Sequence, residues 1–168
     1  MTLIEGVLAA AGVLAVAGCA PAAGDDGPLH LSGEPATVCA PLPDYAEAAF
    51  GVNLPNGLPA DLVIDAVDPV DAEHIVIGGV YLMPVTEEYR LMLDAFPPTD
   101  QFPDAWRDAV PALGVELPGG PAVDLVIEVV ADGPAGSLDG IAITYSTGGR
   151  TYVERASLAL ELTQGGCR

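Results

Sequence analysis

The stretch Leu138-Asp139-Gly140-Ile141-Ala142-Ile143-Thr144-Tyr145-Ser146-Thr147-Gly148-Gly149-Arg150 decides the fold class. Ile141, Ile143 and Tyr145 recur at every second position, the period of a strand with one face in a core. Gly148-Gly149 then supplies two adjacent residues free to take positive φ, as both central positions of a type I′ hairpin turn require. Arg150–Leu162 reads as the returning strand, with Leu158, Leu160 and Leu162 on one face. The alternation changes phase near Ala156-Ser157, which predicts a bulge or a crossing between sheets.

Working upstream, Ala122–Val130 alternates Val123, Leu125, Ile127 and Val129 against Asp124 and Glu128, and Asp132 to Ser137 is a loop. Asp61–Val67 and His74–Leu82 are two further strands. Asp68-Pro69-Val70-Asp71 lies between them as a turn, so they are expected to pair antiparallel. Thr37-Val38-Cys39 opens the first strand, stopped by Pro41 and Pro43. Asp44 to Phe50 reads as a helical turn capped by Asp44. Tyr89, Met92, Leu93 and Phe96 fall at helical spacing ahead of Pro97-Pro98. Phe102–Val110 is a second short helix, with Pro103 in its first turn and Trp106 facing inward. Strands with short turns and no βαβ alternation predict an all-β chain. The best match is an antiparallel immunoglobulin-like β-sandwich of about seven strands, with short helical segments in its middle connection. A closed barrel is the competing architecture.

The charge balance excludes several functions. The 168 residues carry 24 acids and five basic residues, a formal net charge of −19. All five are arginines: Arg90, Arg107, Arg150, Arg155 and Arg168. A surface this acidic repels phosphate backbones, so nucleic acid is not an expected partner. It offers no polybasic clasp for anionic lipid either. Its plainest effect is solubility through mutual repulsion.

At the other end of the chain, Val16-Ala17-Gly18-Cys19 closes an apolar run from Val7 to Ala17. It resembles the lipobox of bacterial lipoproteins, in which cleavage exposes a cysteine that takes lipid. Met1–Glu5 carries no Lys or Arg, unlike the usual basic start of such a leader. The resemblance implies a signal peptide over 1–18, lipidation of Cys19 and a Gly/Pro/Asp tether over 19–36 with His30 in solvent. The domain over 37–168 would then be anchored to the membrane on its extracytoplasmic face. Two cysteines are left over in an oxidising compartment, Cys39 and Cys167, which are expected to form a disulfide joining the first and last strands.

Several residues carry a second resemblance: Cys39, Trp106, Gly114, Pro118-Gly119, Asp124-Leu125-Val126-Ile127, Gly140 to Tyr145, and Gly148-Gly149-Arg150-Thr151-Tyr152. Together they resemble uncharacterised immunoglobulin-like domains of secreted or lipidated actinobacterial proteins. That resemblance implies a fold and no catalytic residue.

Chemistry-bearing patterns are sparse. Of the two histidines, His30 lies in the tether and His74 at a strand start. Neither Ser137, Ser146 nor Ser157 has the Gly-x-Ser-x-Gly context of a nucleophile. No His/Cys cluster has zinc spacing, and Gly148-Gly149 is a hairpin turn, not a phosphate loop. Asp65, Asp68 and Asp71 recur at intervals of three around a turn and are the calcium candidates, although Asp-rich turns commonly serve the turn alone. Trp106 beside Arg107 is the candidate contact surface, against the plainer reading of Trp106 as a plug at one end of the sandwich. No cofactor is expected. The sequence thus points to a non-enzymatic envelope lipoprotein that binds an envelope protein or wall polymer, or serves as a structural module. The alternatives are a small-ligand or cation-binding accessory and, third, an enzyme.

Overall fold

In the computed structural model, Gly148 and Gly149 take φ of 56° and 71°, and the chain reverses between them as the type I′ reading requires. The structure describes residues 27–31, 35–42, 46–85, 90–117, 122–165 and 167. The leader, Cys19, Asp44 and Tyr89 lie outside those residues. The described residues are all-β apart from one short helix. Its elements are β1 (Ala36–Pro41), β2 (Glu47–Asn53), β3 (Val63–Val70), β4 (Ile75–Pro84), β5 (Leu93–Ala95), α1 (Pro103–Arg107), β6 (Val110–Pro111), β7 (Val123–Ala131), β8 (Gly136–Leu138), β9 (Gly140–Thr147), β10 (Arg150–Ala156) and β11 (Leu158–Thr163).

The strands form a five-stranded sheet, β5-β2-β7-β4-β6, and two three-stranded sheets, β10-β9-β3 and β1-β11-β8. Pairing is antiparallel throughout except for β1 and β11, which run parallel. One bent hairpin generates both smaller sheets. Its arms are β8–β9 and β10–β11, and each arm turns between its two strands. Pair Ala156–Ile141 is followed by pair Leu160–Leu138, four steps along one arm against three along the other. The phase change at Ala156-Ser157 is therefore both a one-residue insertion and a crossing between sheets.

Val123, Leu125, Ile127 and Val129 of β7 meet Ile141, Ile143 and Tyr145 of β9 and Leu160 and Leu162 of β11 in the main core. Each such side chain removed from water contributes about 1.5–3 kcal/mol before entropy is charged. The opposite face of the five-stranded sheet is covered as well. Ala49, Met83 and Val126 form a second buried cluster with Leu91, and Tyr81, Phe96, Phe102 and Trp106 pack against it.

Cys39 of β1 is disulfide-bonded to Cys167, just past β11, with Cα atoms 5.7 Å apart. The first and last strands lie side by side as expected, with Cys39 level with Glu161.

Several expectations are corrected. Eleven strands are present among the described residues, not about seven, because each hairpin arm is split by a bend and short edge pairings add β5 and β6. Glu47–Asn53, read mostly as a helical turn, is a strand. It lies between β5 and β7, and every residue from Ala48 to Val52 is buried. The expected helix around Met92 and Leu93 is replaced by β5, whose pairing with Ala48–Phe50 outweighs helical spacing. β3 and β4 do not pair with each other. β3 pairs with β9 and β4 with β7, so the connection crosses between sheets. β3 runs on to Val70, and a bulge between Ile64 and Ala66 places Val67, rather than Ala66, in the core. Of the stretch read as a tether, Gly27–Leu31 is docked on the domain, with Leu29 fully buried in the main core.

Candidate functional site

The bend at Ser157 opens a groove. On one side stand Ala156, Ser157 and Leu158 at the β10–β11 crossing. On the other, Gly51, Val52 and Asn53 at the end of β2 face it with Arg90, Leu91 and Met92. Leu29, His30 and Leu31 form the third wall. The volume is about 490 Å³, in the range of small-molecule sites. Most of the lining is aliphatic, and Met92 stands at its lip with 57% of its surface exposed.

Gly51 lets the 90–92 wall approach. Its N–H donates to the Met92 carbonyl at 3.0 Å, and a Cβ there would collide with the Leu91 carbonyl. Behind the wall lies Asp124, fully buried on the covered face of β7. Its Oδ2 accepts the Leu91 N–H at 3.0 Å and its Oδ1 accepts the Asn53 amide at 2.6 Å. The carboxylate thus ties the end of β2 to the 90–92 segment within one wall of the groove. Burial raises the Asp124 pKa above the ordinary 3.8, opposed in order by the Leu91 and Asn53 hydrogen bonds and the Arg90 charge.

The third wall is held by Glu154 of β10. Its Oε1 accepts the Leu29 N–H at 3.1 Å and its Oε2 the Leu31 N–H at 3.0 Å. The Tyr145 hydroxyl donates to the same carboxylate, and Tyr145 stacks on Tyr152, with centroids 5.3 Å apart. Burial, and then the bond to Glu154, raise the Tyr145 pKa, so the phenol remains a donor. Paired backbone amides on one carboxylate convert the Gly27–Leu31 segment into a strap with fixed geometry.

A second cleft, of about 310 Å³, is lined by Glu73, His74, Ser137, Glu161 and Thr163 among others. His74 Nδ1 lies 3.2 Å from Asp132 Oδ1, and Ser137 shares the cleft. Among the described residues no hydrogen bond joins the Ser137 side chain to His74. The His74 and Asp132 side chains are 62% and 59% exposed. Open to water, the pair lacks the low-dielectric setting that makes such a relay effective.

The other sequence candidates fall apart from the groove. Asp65 and Asp68 are exposed on β3 and Asp71 just beyond it. Among the described residues no three His, Cys, Asp or Glu side chains are placed to hold a metal ion. Trp106 is half-buried over the outer face of the five-stranded sheet, not at an end of the core. It packs edge-on to Tyr81 and Phe96, with centroids 5.1 and 5.4 Å away. Arg107 is exposed and paired with Asp104 at 3.0 Å, a surface contact of little energetic weight.

Sequence reasoning missed Asn53, Arg90, Asp124 and Glu154. One signal existed: Val126 interrupts the polar face between Asp124 and Glu128, as it would if that face were covered. No family model, curated protein or solved structure matches the chain.

Proposed function

We propose that the chain is a non-enzymatic binding module of the cell envelope, held at the extracytoplasmic face by lipid on Cys19. Residues 1–18 are then a removed leader. The β architecture is an elaborated immunoglobulin-like sandwich, with the bent hairpin supplying its extra strands. The groove between strap, β2 and the β10–β11 bend carries the binding part of this reading. It is concave, apolar and of small-molecule size, which favours a small ligand over a wall polymer or a protein partner. The tether part rests on the lipobox resemblance. The strap's place fits both, since the stretch after Cys19 leads into a wall of the groove.

Two measurements test the proposal. In detergent-phase partitioning of expressed protein, the wild type enters the detergent phase and Cys19→Ala stays aqueous; a processed wild type that stays aqueous removes the tether. A neutral apolar fluorophore binds the full chain saturably and loses binding in Ser157→Trp, which fills the groove from its rim. Unchanged binding in that variant, with the fold intact, removes the groove as the site.

A further inference from the structure

The charges of the groove differ from those of the rest of the chain. The protein has 24 acids against five arginines and two histidines. The groove lining holds one of those arginines, Arg90, one of those histidines, His30, and no acid among the described residues. Asp124 approaches from behind, but it is fully buried and its oxygens are engaged by Asn53 and Leu91. Arg90 is therefore a cation in the lining of a largely aliphatic trough, in a chain whose formal net charge is −19. The more accessible Leu31, Met92 and Leu158 offer no polar partner to the body of a ligand, with Leu29 and Leu91 buried behind them.

We propose that the groove takes a single-chain amphiphile with one anionic head, an acyl-chain carboxylate, its chain along the aliphatic walls and its head on Arg90. The assignment rests on the groove being the binding site. A planar guanidinium presents paired donors that match a carboxylate, and such a charge-assisted pair is stronger than a neutral hydrogen bond. Met92 at the lip suits a chain of variable shape, because an unbranched thioether repacks at little cost. The long-range field of a −19 chain opposes any anion, but it is screened beyond about 8 Å at physiological ionic strength. The local cation then decides the head group.

The test is equilibrium binding to the full chain by calorimetry, below micellar concentrations. The probes are dodecanoate, dodecanol and dodecylammonium, with wild type, Arg90→Gln and Ser157→Trp. Unfolding temperatures establish that each variant is folded. Dodecanoate binds wild type at least about tenfold more tightly than dodecanol, a difference of about 1.4 kcal/mol. Arg90→Gln lowers dodecanoate affinity to that of dodecanol, and Ser157→Trp abolishes the binding of both. Equal affinity for dodecanoate and dodecanol, or tighter binding of dodecylammonium, overturns the anionic head and leaves the groove standing. Failure of all three probes to bind, or binding indifferent to Ser157→Trp, overturns the groove itself.

Discussion

Two aspartates show how a residue's setting fixes the sign of its effect. Asp61 is exposed and accepts the Thr147 hydroxyl at 2.7 Å and the Gly148 N–H at 2.8 Å, bracing the hairpin turn. The Thr147 bond first, and then the Gly148 bond, lower its pKa below 3.8. Its contribution to stability is present above 3.8 and is lost as pH falls through the lower folded value. Asp124 runs the other way. Its folded pKa is raised by burial, so its contribution is full below 3.8 and is lost as pH rises through the higher folded value. Carboxyl-carbon NMR titration will therefore place Asp61 below and Asp124 above the ordinary value; the reverse order would contradict both environments. Asp124→Ala leaves the Leu91 N–H and the Asn53 amide without their acceptor and should cost about 1–3 kcal/mol, measured by urea unfolding in acid, below the folded Asp124 pKa. A loss under 0.5 kcal/mol would mean that the bracket is not formed.

Among the elements, the strap depends on one carboxylate, that of Glu154. Glu154→Ala removes the acceptor for two strap amides, so Leu29 and Leu31 should lose most of their hydrogen-exchange protection while β7 keeps its own. Unchanged protection at Leu29 would show that apolar burial alone holds the strap. The elements also mark where sequence stops being legible. β9, β11 and β7 are readable because each carries apolar residues at every second position, and the turn chemistry of Gly148-Gly149 is local. β2 is not. It is buried on both faces, which erases the period-two signal, and Ala48 and Ala49 have strong helix propensity. β5 is defined by its partner rather than its own pattern. The β3 bulge at Asp65 reverses which residues face inward, and nothing in the local composition announces it. The groove was illegible for a related reason. Leu29, Asn53, Arg90 and Ser157 are far apart in sequence, and only the crossing of β10 into β11 brings their segments together.

For the whole molecule, the Cys39–Cys167 disulfide spans a sequence separation of 128 and ties the parallel β1–β11 edge. Chain-entropy arguments give about 5 kcal/mol for so long a loop, and commonly less in practice. Reduction should therefore lower the unfolding temperature by several degrees, with β1 losing amide protection before β7. Uptake of two alkyl groups by the denatured, unreduced protein would contradict the bond. The bend between the two smaller sheets, the end of β2, the strap and the 90–92 wall meet at the groove, so the proposed ligand binding would draw on the entire architecture. The most direct measurement is a two-dimensional NMR titration of the labelled full chain with dodecanoate. Saturable shifts are expected at Leu29, Leu31, Gly51, Met92 and Leu158, with saturation in Arg90→Gln moved to about tenfold higher dodecanoate. Shifts confined to the exposed aliphatics Val110, Leu113 and Val115, or no shifts at all, would contradict the proposed site.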